Sequence, residues 1–354
     1  MMKKVLSALT AIAFTGAYAA SLTVGGQVNA GIKVKGGNHG EDTKVQYYLD
    51  EGDTKIFLNY KDEAKGIAGV IIGAFDNGAL NAKEAWIKFD LFRSGDVSTY
   101  MILGLQPNVI KVCDISITNV YGTDGTSAAK VEKAVTLGVS FGGTKLQSTL
   151  VDPKVNPNDK KGFYSLAEVA AILPTKYADV AVALDMDPGK LGNSTDNKWL
   201  LYGYINIKAI DPVNIEAQVS YGKQTEVENS TISGVAVKVA SNKEFKLISK
   251  PAKPYIQIEY INANKANGQN DLLLRGGDVP SGVDNTTDYY LDSQFAIKVG
   301  TVVKYNKHLT ENGYIKYIAA KYAPENKTKS SFEKTSLEVG ADFTLKFAKS
   351  INLD

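Results

Sequence analysis

The residues in this chain that could do chemistry are polar side chains recurring at every second position. Gln27, Asn29 and Lys33 alternate with Leu22, Val24, Val28, Ala30, Ile32 and Val34. Asn59 and Lys61 alternate with Ile56, Leu58 and Tyr60, and Lys88 with Ala85, Ile87, Phe89 and Leu91. Asn214, Glu216 and Gln218 oppose Val213, Ile215, Ala217 and Val219, while Lys298 and Lys304 sit on the wet side of a further segment. Successive strand side chains point to opposite faces, so a period of two gives each segment one wet and one oily side; a helix would repeat near 3.6. Lysines and amides along a wet wall make and break no bonds. They can supply an electric field and a hydrogen-bonding surface.

Residues for covalent or metal chemistry are absent from the pattern. His39 and His308 both fall in expected connections, and no His, Cys and carboxylate set has metal-ligand spacing. Cys113 is the sole cysteine, so no intramolecular disulfide forms. The glycines between Gly122 and Gly125 lack the strand-to-helix context of a phosphate cradle. No cofactor and no enzymatic activity are expected.

The elements that carry the wet wall are strands throughout. The closing stretch is the cleanest: Leu337, Val339, Ala341, Phe343, Leu345 and Phe347 alternate with Glu338, Gly340, Asp342, Thr344 and Lys346. About 16 such segments can be counted, an even number. Phe163–Leu173 is the ambiguous one, because Leu166–Leu173 fits a helix equally well, and Val45–Leu49 reads as a short extended run. Short connections at 62–66, 93–97, 142–144, 174–177, 210–212, 250–254 and 307–313 alternate with long ones at 36–53, 106–130, 152–162, 187–197, 223–233, 265–288 and 324–334. Short turns at one rim and long loops at the other are what an up-and-down barrel in a membrane requires, whereas a soluble sandwich has no reason to sort its loops.

The N-terminus and the composition agree. Met1 to Lys4 is basic, Val5–Phe14 is apolar, and Ala17-Tyr18-Ala19 is a cleavage pattern, so residues 1–19 read as a secretory signal and 20–354 as the exported part. The formal charge of the 354 residues is +2, which the loss of Lys3 and Lys4 brings to zero; nucleic-acid binding would need a strongly basic footprint. Aromatic residues are 9% of the chain, with 19 Tyr against 12 Phe, and tyrosine suits a membrane interface. No later run reaches the roughly 18 apolar residues of a spanning helix. In lipid every backbone polar group needs a partner, so such strands can span only as a closed sheet. The expected fold is all-β: a transmembrane antiparallel up-and-down β-barrel whose ~16 strands enclose more space than side chains can fill, leaving an aqueous lumen.

Several short stretches resemble the general porins of the Gram-negative outer membrane. Glu84-Ala85-Trp86-Ile87, Gly95-Asp96-Val97 and Ile102-Leu103-Gly104-Leu105-Gln106 resemble the strand, turn and strand before the inward-folded third external loop of that family. Asn59-Tyr60-Lys61-Asp62-Glu63 resembles its second strand, Ser140-Phe141-Gly142-Gly143 the segment after its constriction loop, and the closing strand with Phe347 its C-terminal assembly signal. The resemblance implies a homotrimer in outer-membrane lipid, with residues 106–130 narrowing a channel for small hydrophilic solutes and ions. It also implies a constriction in which Lys33, Lys61, Lys83 or Lys88, and Lys133 face Asp114 and Asp124 on the loop. Alternation points Lys88 inward and the family analogy points Lys83 inward; a regular strand cannot do both. Two features depart from the family. Seven residues follow Phe347, and only Arg93 and Arg275 are arginines, so a transverse field must come from lysines. Lumen lysines outnumber lumen acids in this reading, which implies a slight preference for anions. A substrate-selective channel for an anion or a sugar, and a non-conducting surface adhesin, are the alternatives.

Overall fold

The computed structural model describes residues 20–38, 43–49, 54–76, 79–105, 134–151, 165–186, 199–223, 231–263, 273–274, 279, 283, 286, 288–324 and 329–353. All the regular structure among them is strand. In chain order the strands are β1 (Ala20–Gly37), β2 (Lys44–Leu49), β3 (Lys55–Asp62), β4 (Ile67–Asp76), β5 (Ala79–Ser94) and β6 (Val97–Leu105). Then come β7 (Ala134–Phe141), β8 (Thr144–Val151), β9 (Ser165–Pro174), β10 (Ala178–Met186), β11 (Trp199–Ile207), β12 (Val213–Lys223) and β13 (Ile232–Ser241). The remainder are β14 (Phe245–Leu247), β15 (Lys250–Asn262), β16 (Leu273–Leu274), β17 (Tyr289–Lys304), β18 (Leu309–Pro324) and β19 (Phe332–Leu353).

These segments build a closed antiparallel barrel of 16 staves. Three staves consist of two segments each. β2 and β3 pair with the upper and lower halves of β1, β13 and β14 both pair with β15, and β15 and β16 both pair with β17. Every stave is paired to its neighbour in sequence. The ring closes where β1 pairs with β19 from Ala20↔Leu353 to Gly37↔Ser336. The residues after Phe347 therefore continue the last strand, with Ile351 opposite Leu22. The ambiguous segment is a strand, β9, and the short run Val45–Leu49 lies within β2.

Two turn assignments need correction. The connection expected at 250–254 is strand; the turn lies at Ile248 and Ser249, both with positive φ (48° and 66°). Pro251 and Pro254 read as turn residues in the sequence, yet they sit in β15 opposite Lys246 and Thr301. The connection expected at 307–313 is likewise shorter, because β18 begins at Leu309. The Gly142-Gly143 hairpin stands where expected. Both glycines have positive φ (54° and 87°), which the two-residue turn of a right-twisted hairpin demands.

The two faces of the sheet differ in kind. Val219 and Tyr221 of β12 are 56% and 50% exposed, whereas Gln218 and Ser220 between and beside them are 0% and 5%. The sheltered face of a closed sheet is its concave side, so the polar alternates point inward. Following the pairing around the ring puts Leu58, Ile71, Ile87, Leu137, Leu146, Val182, Val235, Ile258, Val299, Ile315 and Val339 on one continuous outer belt. Where the inner face nears the long connections, a buried cluster joins Tyr202, Tyr204, Ile232, Ile261, Tyr289, Leu291, Tyr322 and Phe332, with Val279 against them. Phe332 stacks on Tyr322 at 5.3 Å and meets Tyr289 edge-on at 5.0 Å.

Candidate functional site: the inner wall of the barrel

Directly opposed residues of an antiparallel pair share a face, so the register assigns every inner position. On β1 these are Gln27, Asn29, Gly31, Lys33 and Lys35, matched on β19 by Lys346, Thr344, Asp342, Gly340 and Glu338. Gln27 donates to Asn29 Oδ1 at 3.1 Å, and the Asn29 backbone N–H donates to Thr54 Oγ1 at 3.2 Å. Asn59 lies opposite Thr23 and Val70 and is exposed. Lys61 is on the same face near the short-connection rim, where it pairs with Glu63. Asp114, Asp124 and Lys133, and the loop 106–130 itself, lie outside the described residues.

The Lys83 and Lys88 alternatives meet at an irregularity. Ile72 pairs with Glu84 but Gly73 pairs with Ala82, so Lys83 is the extra residue of a bulge in β5. The strand is thus not regular there, and the premise that opposed the two readings fails. Lys88 is on the inner face. Its Nζ is 3.2 Å from Asp90 Oδ1 and 4.6 Å from the centre of the Tyr100 ring, while Asp90 also takes Arg93 at 2.7 Å.

Lys88 and Tyr100 belong to a unit that occurs four times. In each, a tyrosine ring reaches over an inward glycine on the adjacent stave, and a lysine ammonium sits over its ring. Tyr100 covers Gly138, Tyr255 covers Gly300, Tyr314 covers Gly340 and Tyr48 covers Gly31; a Cβ on any of these glycines would fall 2.1–2.7 Å from the ring or its hydroxyl. The lysines are Lys88 (4.6 Å), Lys238 (5.7 Å), Lys298 (3.9 Å) and Lys33 (5.1 Å). Aromatic faces carry negative charge, so the ring holds the ammonium against the wall.

The hydroxyl of each tyrosine then finds a polar acceptor. Tyr100 donates to Gln147 Oε1 at 3.0 Å, Tyr255 to Asn312 Oδ1 at 2.9 Å and Tyr314 to Glu338 Oε1 at 2.7 Å. Tyr48 donates to Asp342, which Asn312 Nδ2 also approaches at 3.5 Å. Glu338 takes Lys33 at 3.7 Å, and Glu216 takes Lys238 at 3.8 Å. The side chains along β12 to β2 are thereby tied from stave to stave, with hydrogen bonds to charged groups supplying the stronger links. Among the described residues no His, Cys, Asp and Glu group could hold a metal. Sequence reasoning found the alternation but not these tyrosines. The available signal was tyrosine at an inward position of one strand with glycine at the inward position of the next.

The comparisons bear on this geometry. No family model and no curated protein matches the sequence. Solved structures do match. The anion-selective porin from Comamonas acidovorans superposes with a TM-score of 0.61 at 12% identity, covering 93% of this chain and 100% of that one. OmpT, an outer membrane protein of Vibrio cholerae in its trimer form, gives 0.57 at 14% identity, with 93% and 100% covered. The outer membrane channel DcaP of Acinetobacter baumannii gives 0.57 at 12%, with 92% and 98% covered. This chain has the porin fold. Within that porin fold, its own residues supply the lysine-capped tyrosines on the wall.

Proposed function

We propose that this chain is an outer-membrane porin: a passive channel through which small hydrophilic solutes and ions diffuse down their gradients. The observation that carries the reading is a closed sheet of 16 staves that is apolar outside and polar inside. An outer belt this continuous belongs in hydrocarbon, and a ring of this many strands leaves an aqueous passage. In this reading residues 1–19 direct export and are removed, residues 20–354 form the barrel, and loop 106–130 narrows it. Gln27, Asn29, Lys33, Asn59, Lys61 and Lys88 line the passage, joined by Lys83, Asp114, Asp124 and Lys133 at the constriction. Three copies assemble in the membrane, a reading supported by the trimer form of the Vibrio cholerae protein. Solutes are sorted by size and by the field of the wall, with no turnover.

Planar-bilayer recording of detergent-folded protein tests this directly. Stepwise conductance increments, in groups of three for a trimer, are expected. A correctly folded barrel that never conducts would replace the channel with a surface protein that displays its loops.

A further inference from the structure

One inner-face row is occupied almost entirely by lysine. Directly opposed residues run Lys238 on β13, Gln257 on β15, Lys298 on β17, Lys316 on β18, Glu338 on β19, Lys35 on β1 and Lys44 on β2. Seven consecutive staves thus present five lysines and one acid, and Lys33 flanks the row opposite Gly340. The acids in and beside the row are engaged: Glu216 by Lys238, Glu259 by the Gln257 amide at 2.5 Å, Glu338 by Lys33 and the Tyr314 hydroxyl, and Asp342 by the Tyr48 hydroxyl.

The row is also a path. Lys238 lies near the end of β13 that leads into a short connection, whereas Lys35 lies near the end of β1 that leads into a long one. Hydrogen-bonded rows run perpendicular to the strands, and barrel strands tilt, so a row climbs the wall. Six steps of ~4.8 Å span about 29 Å along the wall, or roughly 18 Å of height at a ~40° tilt, most of a ~25 Å apolar band. The opposite arc differs. On the mid-wall of β6–β11 the inner positions Tyr100, Ile102, Thr136, Gly138, Gln147, Thr149, Ala170, Ala181, Ala183, Tyr202 and Tyr204 are uncharged. The row of Thr149 continues into acids, not lysines: Glu168 opposite Thr149 and Asp185 opposite Glu168.

We propose that this row is a stair for anions, handing small multivalent oxyanions and carboxylates from the long-loop mouth to the short-turn mouth along the β1–β13 arc. The proposal rests on the channel reading above and names its solute class. A lysine or hydrogen-bond donor stands on every stave of the row but β19, where Glu338 is held by Lys33 and the Tyr314 hydroxyl, so an anion of two or more charges can touch the next step before leaving the last. The tyrosine rings beneath Lys298 and Lys238 hold those steps in place.

The test is the reversal potential of single channels in a KCl gradient, with inorganic tripolyphosphate as the multivalent probe. The unaltered protein should favour chloride, and tripolyphosphate should interrupt its current. The triple variant Lys35→Gln, Lys298→Gln, Lys316→Gln should lower the chloride-to-potassium permeability ratio roughly threefold or more near 0.1 M salt and far less near 1 M, where screening shortens to about 3 Å. It should also need at least tenfold more tripolyphosphate for the same interruption. Arginine at the same three positions should keep both properties, and Lys176→Gln, in the 175–177 connection, should change neither. The single Lys35→Gln, near the rim, guards against misfolding of the triple. Stepwise current with an unchanged reversal potential in the glutamine variants would overturn the stair alone. No stepwise current from the unaltered, folded protein would remove the channel and the stair together.

Discussion

Gly138→Ala should destabilise the barrel, and the sign of its effect should reverse when Tyr100 is removed. An ideal Cβ on Gly138 would lie 2.1 Å from Tyr100 Cζ and 2.5 Å from both Cε2 and the hydroxyl oxygen, with no backbone atom among these nearest contacts. The ring must therefore swing away. Moving it breaks the buried bond to Gln147 at 3.0 Å, worth about 1–3 kcal/mol when the partner stays buried. It also withdraws the ring from Lys88, about 0.5–1 kcal/mol at this half-exposed site. Against this, alanine is favoured over glycine inside a strand by ~0.5–1 kcal/mol. The net loss is then roughly 1–3 kcal/mol. In a Tyr100→Ala background neither penalty remains, and Gly138→Ala should stabilise by ~0.5–1 kcal/mol. Urea unfolding in detergent–lipid micelles, followed by the fluorescence of Trp86 and Trp199, gives all four corners of the cycle. An equal effect of Gly138→Ala in both backgrounds would refute the argument that the glycine exists to admit the ring.

Three further outcomes are expected. Ile248→Gly should raise stability by about 1 kcal/mol in the same unfolding assay, because the isoleucine is 90% exposed and held at φ 48°, a left-handed conformation that disfavours a β-branched residue; a loss of stability would contradict this. Deleting residues 348–354 removes the pairing of Ala20–Gly25 with the last strand and should abolish the heat-resistant folded band on a gel; survival of that band would show that closure does not need these residues. Asp90→Asn leaves Lys88 and Arg93 without their shared carboxylate and should shift the reversal potential toward chloride; a shift toward potassium would count against a lumen position for these cations.

Most of the fold was legible because a closed up-and-down barrel uses one rule at every stave. The period of two in Leu22–Val34 and in Leu337–Phe347 placed the first and last strands, and the sorting of connections by length implied the up-and-down order. Ile351 and Leu353 keep the same alternation, and β19 runs past Phe347 to Leu353. What failed was local punctuation. Pro251 and Pro254 look like a turn, but a proline is tolerated in a strand wherever no ladder bond is asked of its nitrogen. The true turn carries Ile248 and Ser249, neither of which a positive φ favours, so propensity could not have found it. The bulge at Lys83 was invisible for a related reason: one inserted residue leaves the composition unchanged yet displaces every facing assignment on one side of it.

The candidate wall was legible residue by residue but not as a pattern. Lys33, Lys88 and Lys298 each stand at an inward alternate position, which periodicity alone reveals. Their alignment with Lys35, Lys238 and Lys316 depends on register, and register depends on where each hairpin turns. With the turn at 250–254 rather than 248–249, Lys238 would slide several residues away from Gln257 and the row would break at β15. The climb of the row depends further on strand tilt, a property of closing the sheet that no single strand contains. On the proposed reading, selectivity is encoded less in how many lysines the wall has than in the turns that bring them level. Moving one turn by a pair of residues, with no lysine altered, should break the stair as surely as replacing Lys298.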